Sequence, residues 1–133
     1  MELIPVTTRS RNEMVEITSA VERVVRKRGI REGVAVLQSL HTTGALTINE
    51  NADPDVKHDV VAKMGELVPH ADSYYRHAEG NSDSHVKTSM FGPSLTIIVS
   101  EGKLMLGQWQ GIYFCEWDGP RERKVAVQVM ADT

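Results

Sequence analysis

The sequence predicts an α+β fold: one compact domain over residues 1–133, with a mainly antiparallel mixed β-sheet, two longer helices and one short helix. Three observations carry this. Two stretches in the first half repeat their apolar residues at helical spacing and carry helix-end signals. The last third is a run of strand-like segments separated by "EGK" and "DGPRE" turns. Strands and helices do not alternate throughout, so parallel crossover units do not account for the order.

Residues 2–8, "ELIPVTT", read as a first strand, with Pro5 placing it at an edge or a bulge. "NEMVEI" alternates and supplies a second. The period then changes, and Ile17, Val21, Val24 and Val25 form a helical stripe. Ser19 and Glu22 match a capping box. Arg26, Lys27 and Arg28 suit the last turn, where cations meet the negative end of the helix dipole, and Gly29 closes it. "GVAVLQSLHTT" is a strand, and "GALTINE" is either its continuation beyond Gly44 or a separate strand. Asp53 suits the N-cap of a second helix and Pro54 its first position, where a missing N–H costs nothing. Val56, Val60, Met64 and Leu67 form that helix's stripe until Pro69. "HADSYYRHAEGNSDSH" is a polar connection, and Asp83 caps a brief helix, "SHVKTSMF". "SLTIIVS", "LMLGQWQGIYFCEW" and "RKVAVQVM" then form a meander of three or more strands.

Composition narrows the function classes. The chain carries 41% hydrophobic and 25% charged residues and a formal net charge of -3, with no basic block that would track a phosphate backbone. Nucleic acid is therefore not an expected partner. No apolar run approaches the ~18 residues of a membrane span, and "MELIPVTTRSRNEM" lacks a signal-peptide core. Cys115 is the single cysteine, so no internal disulfide forms, and its place in "GIYFCEW" points to a buried structural thiol. These features predict a cytoplasmic protein.

Of five histidines, His58 lies opposite the apolar stripe of its helix and His70 follows a helix-stopping proline. His41, His77 and His85 each lie where an element meets a loop, where side chains from a rigid scaffold commonly converge. Three imidazoles with an open position would form a zinc-type centre. Capping, surface exposure and single hydrogen bonds are the alternatives, since no HExxH or paired CxxC motif is present. Glu50 ends an apolar run. It is either a carboxylate raised in pKa by desolvation, as a general acid or base needs, or a strand-end charge in water. "GQWQG" places Trp109 between glycines inside a strand run, which marks a ligand approach or a twisted corner. Gln110 and Glu116 share a strand face with Ile112 and Phe114 and so need partners. Arg121 and Arg123 follow Gly119-Pro120 in the "DGPRER" turn, where they either clamp a phosphate or carboxylate or are solvated.

"HTTGALTINENADPDV", "YRHAEGNSDSHVKTSMFG" and "LGQWQGIYFCEWDGPRERKV" together strongly resemble the YjbQ family, in the same order and across essentially the whole chain. The resemblance implies a trimer with its site close to subunit contacts, and secondary thiamine-phosphate synthase activity. That reaction joins hydroxymethylpyrimidine diphosphate to thiazole phosphate and expels pyrophosphate. The implied pocket contains His41, His77 and His85 as metal ligands. It also contains Asn49, Glu50, Asp53, Ser89, Gln110 and Glu116, with Trp109 as an aromatic wall and Arg121 as an anion contact. Glu50, His41 and Glu116 would carry the proton chemistry, and Arg123 would join Arg121 on phosphate. The expected cofactor is a divalent metal: zinc for three imidazoles, magnesium for the synthase chemistry. The expected partners are a small phosphorylated molecule and two further copies of the chain. A metal-dependent hydrolase of a small phosphorylated molecule is the second reading, and a non-catalytic metal- or ligand-binding module the third.

Overall fold

The computed structural model describes residues 1–133. Its elements run β1 (Glu2–Thr7), β2 (Glu13–Glu16), α1 (Thr18–Arg28), β3 (Gly33–Ser39), β4 (Gly44–Glu50), α2 (Pro54–Leu67), α3 (Ser82–Phe91), β5 (Ser94–Ser100), β6 (Lys103–Leu104), β7 (Gln110–Glu116) and β8 (Glu122–Ala131). The fold is α+β, as expected. Every strand pairing is antiparallel, and the strands divide into two sheets, β1-β8-β3-β5-β6 and β2-β7-β4.

This division settles one open alternative and corrects one expectation. β3 and β4 are separate strands in separate sheets, and the C-terminal strands are not a meander, because β7 leaves for the small sheet while β8 pairs β1 and β3. The reason is burial. The inner face of the large sheet packs on the small sheet through Ile4, Ala35, Leu37, Val99, Leu46 and Phe114, with α1 closing one side through Val21 and Val25. The other face of the small sheet packs Ala45, Tyr113, Cys115 and Trp117 against Met64 and Val68 at the end of α2 and Phe91 of α3. A strand covered on both faces is apolar throughout, so β7 does not alternate.

Helix ends follow local chemistry unevenly. Asp53 caps α2, its carboxylate accepting from the Asp55 N–H at 2.9 Å, with Pro54 in the first helical position. Leu67 is exposed, and Val68 takes the core position instead. Gly29 ends α1 at φ 68°, a left-handed conformation that glycine adopts without Cβ strain. No capping box forms at Ser19. α1 begins at Thr18, whose hydroxyl donates to Glu16 at 2.8 Å and accepts from the Ile112 N–H at 2.8 Å. Cys115 is fully buried, and burial pushes its thiol pKa up, so it stays protonated as expected of a structural cysteine. No helix is long and apolar enough to cross a membrane.

Candidate functional site

A cleft of about 320 Å³ opens at the end of the small sheet where Gly44 of β4 pairs with Glu116 of β7. The β3–β4 connection contributes Leu40, His41, Thr42 and Thr43. The approach to α3 contributes Glu79 and Asn81 and its first turn His85, while the β7–β8 turn contributes Asp118 and Arg121 and the start of β8 contributes Arg123. Leu40 is the one hydrophobic residue in this lining.

The β3–β4 connection is shaped by short-range bonds. Ser39 Oγ donates to the Gly44 carbonyl at 2.8 Å, and the His41 N–H reaches Ser39 Oγ at 3.3 Å. Gly44 is required here, because a Cβ would lie 2.2 Å from the Phe114 ring. Beneath the cleft, Glu116 and Arg123 form a sealed ion pair. Arg123 Nε donates to Glu116 Oε2 at 2.7 Å, Nη2 donates to Oε1, and Nη2 also reaches Thr43 Oγ1 at 3.0 Å. Glu116 further accepts from Thr8 Oγ1 at 2.8 Å and from the Asp118 N–H at 2.9 Å. Its side chain has no solvent exposure. Glu116 is therefore a structural carboxylate rather than a proton shuttle, and Arg123 is committed to it rather than free to clamp a ligand. Both corrections share one cause: a buried charge requires a paired, fully hydrogen-bonded opposite charge.

Arg121 is the accessible cation. Its Nε donates to the Asp118 carbonyl at 2.8 Å and its Nη2 to Asp118 Oδ2 at 3.1 Å, while Nη1 bonds nothing in the chain. His41 is half-buried, with its ring edge-on to Phe114 at 6.4 Å. Its Nε2 accepts from the Lys124 N–H at 2.9 Å, so the neutral ring carries its proton on Nδ1. Burial, reinforced by the positive charge of Arg123, lowers its pKa below the ordinary histidine value. His41 thus presents a neutral N–H donor, the form used where an imidazole polarises an oxygen without delivering a full charge.

The three histidines are only partly brought together. His41 and His85 line the cleft, whereas His77 is exposed, with its ring 5.2 Å edge-on from His85 and its Nε2 3.7 Å from Glu79. No group of three or more His, Cys, Asp or Glu side chains is arranged to hold a metal ion. With Nε2 taken by the Lys124 N–H and the proton on Nδ1, the neutral His41 ring has no free lone pair for a metal. This donor set does not fit a divalent cation within the chain.

The other expected residues lie elsewhere. Asn49, Glu50 and Gln110 sit at the far end of the β4–β7 pair, about 20 Å along a seven-residue strand. Asn49 Oδ1 accepts from the Glu50 N–H at 2.7 Å, and Gln110 Oε1 accepts from the Gly107 N–H at 2.7 Å in a local turn. Asp53 serves as the α2 cap. Trp109 is 57% exposed in the turn before β7 rather than inside a strand, and Ser89 is exposed on α3.

Asp83 does not cap α3 with its side chain; Asn81 holds the cap position. Asp83 is instead buried, accepting from Arg11 Nη1 at 3.0 Å, Arg11 Nη2 at 3.1 Å and Lys87 Nζ at 3.0 Å. Lys87 itself is only 2% exposed and lies over the Trp117 ring at 5.4 Å. This network and a Ser84 hydroxyl bond to the Trp117 carbonyl fix α3, and so place Asn81 and His85 at the cleft. Thr8, Arg11, Thr43, Asn81 and Lys87 went unmarked at the sequence level. The one available signal was the Asp83/Lys87 spacing of four on a helix.

The sequence profile described as "UPF0047 protein YjbQ-like" matches residues 2–132. The UPF0047 protein YugU of Bacillus subtilis is 45% identical over 130 residues, spanning 98% of both chains. A UPF0047 protein of Methanocaldococcus jannaschii is 45% identical over 127 residues, covering 96% of this chain and 91% of that one. Among solved structures, an uncharacterised conserved protein of the same family from Clostridium acetobutylicum superposes with a TM-score of 0.95 at 44% identity, over 98% of this chain and 100% of that one. One from Sulfolobus solfataricus, described as a YbjQ-like protein of unknown function, gives 0.94 at 33% identity, over 98% and 96%. These relatives carry a family designation and no reaction. That finding corrects the expectation of a thiamine-phosphate synthase, and with it the metal-dependent hydrolase and metal-binding alternatives.

Proposed function

The chain belongs to the UPF0047 family of YjbQ-like proteins, and on that premise we propose that its polar cleft binds a small anionic molecule, a phosphate or a carboxylate. Arg121 carries this reading. It is the cleft's exposed guanidinium, held in place by Asp118 through two bonds while Nη1 stays open to a ligand oxygen. Neutral His41, donating from Nδ1, adds a second hydrogen bond without a second charge, and His85 faces the same space as a proton donor or acceptor. Proton transfer on a bound anion is the chemistry these side chains support. Calorimetric titration with inorganic phosphate tests binding: the wild type is expected to bind, and Arg121→Ala to bind at least tenfold more weakly. Equal affinities would remove Arg121 from the site.

The expected trimer also belongs to this proposal. The outward face of the large sheet sets Met130, Val34, Ile98 and Met105 in one row, since Val34 pairs with both Met130 and Ile98, and the Met105 N–H bonds to the Ile98 carbonyl. Three of these four are about half exposed or more. A row of this kind supports burial against further copies. Sedimentation equilibrium is expected to give three chains for the wild type and a smaller species for Ile98→Lys. A monomeric wild type would contradict the trimer.

A further inference from the structure

A second cavity, of about 380 Å³, lies between the C-terminal half of α1 and the β5–β6 hairpin and shares no lining residue with the cleft. The hairpin is fixed where it meets the α1–β3 connection. Gly102 N–H donates to the Arg31 carbonyl at 2.9 Å, and Glu101 N–H donates to Glu32 Oε1 at 2.9 Å. Both turn residues have positive φ, 76° at Gly102 and 54° at Glu101, which suits the glycine and strains the glutamate. Three cations line the cavity, Arg26, Arg31 and Lys103, all exposed and so within a ligand's reach. None has a carboxylate at ion-pair distance, in contrast to Lys27 on Glu2 at 2.9 Å and Arg121 on Asp118 at 3.1 Å. Glu22 stands four residues before Arg26 on α1, a spacing at which the two charges pair readily, yet they stay apart. Glu101 is unpaired in the same lining, so three cations against two carboxylates leave one net positive charge, in a chain of formal net charge -3. Val25 and half-buried Leu104 form an apolar floor. We infer that this cavity is a second binding site, for an organic monoanion with an apolar body, an aryl carboxylate. A guanidinium takes a carboxylate through two parallel N–H bonds, and its flat face packs on an aryl ring. Glu22 and Glu101 disfavour a doubly charged phosphate monoester, which sets this site apart from the cleft.

Titrations followed by backbone amide shifts test this with 2-naphthoate, using acetate for the charge without the body and 2-naphthalenemethanol for the body without the charge. In the wild type, 2-naphthoate is expected to shift Arg31, Gly102, Lys103 and Leu104 saturably, and to bind at least about tenfold more tightly than either control. Arg31→Ala combined with Lys103→Ala removes two exposed, unpaired side chains and is expected to weaken 2-naphthoate at least about tenfold, with amide shifts elsewhere unchanged. Arg121→Ala, which disables the cleft, is expected to leave 2-naphthoate binding as it is, so the two sites stand or fall separately. Shifts confined to the cleft or to the outward face of the large sheet would overturn the second site. So would equal binding of 2-naphthalenemethanol, or an unchanged affinity in the double variant.

Discussion

Replacing Arg123 with methionine is expected to cost about 3–5 kcal/mol of folding stability, because it leaves the Glu116 carboxylate buried without its counter-charge. Urea denaturation with an unchanged slope measures the loss. The pair's net contribution is smaller than this figure. Removing both charges, as in Glu116→Leu with Arg123→Met, is expected to recover a large part of the stability, since neither ion then needs solvation. The double variant still loses the Arg123 bond to Thr43 and the Glu116 bonds to Thr8 and the Asp118 N–H. It should therefore fold but hold the β3–β4 connection and the β7–β8 turn less firmly. A single-variant loss below about 1 kcal/mol, the range of an exposed pair, would show that the pair is not sealed.

Asp83→Ala is expected to be comparably severe. It strands Lys87, which is 2% exposed, and removes both partners of the Arg11 fork. The expected cost is about 3–5 kcal/mol, and it should exceed that of Lys87→Met, which leaves Asp83 still paired with Arg11. The same group sets a pH dependence. Burial alone would raise the Asp83 pKa, but hydrogen bonds from Arg11 and Lys87 outweigh it and bring the folded value below the usual 3.8. A carboxylate lowered in the folded state contributes stability above its unfolded pKa and loses it as pH falls through the folded value. Wild-type stability should thus decline in that acidic window, and the decline should be shallower in Asp83→Ala.

Local rules made much of the scaffold legible. Asp53 and Pro54 mark a helix start, Gly29 marks a helix end, and Pro5 places β1 at the sheet edge, each through the chemistry of one or two residues. What failed depended on distant partners. Asp83 reads as a cap because short acidic side chains favour that position, but its partner Arg11 lies 72 residues away and nothing in the local pattern announces it. Glu116 reads as a polar residue on an apolar face in search of a ligand; the structure satisfies it internally with Arg123, seven residues on across a turn. β7 defeats alternation because both its faces are covered. Of the candidate site, His41, His85 and Arg121 do share the cleft. Asn49, Glu50, Trp109 and Gln110 share motifs with them in sequence but sit a strand's length away, because an extended seven-residue segment separates its two ends by about 20 Å.

Backbone amide shifts recorded during a titration with inorganic phosphate test the cleft most directly. Saturable shifts are expected at Thr42, Thr43, Asn81 and Arg121, together with the His41 Nδ1–H, and none at Asn49, Trp109 or Gln110. Shifts confined to the Trp109 end, or none at either end in the millimolar range, would contradict an anion site built on Arg121 and His41.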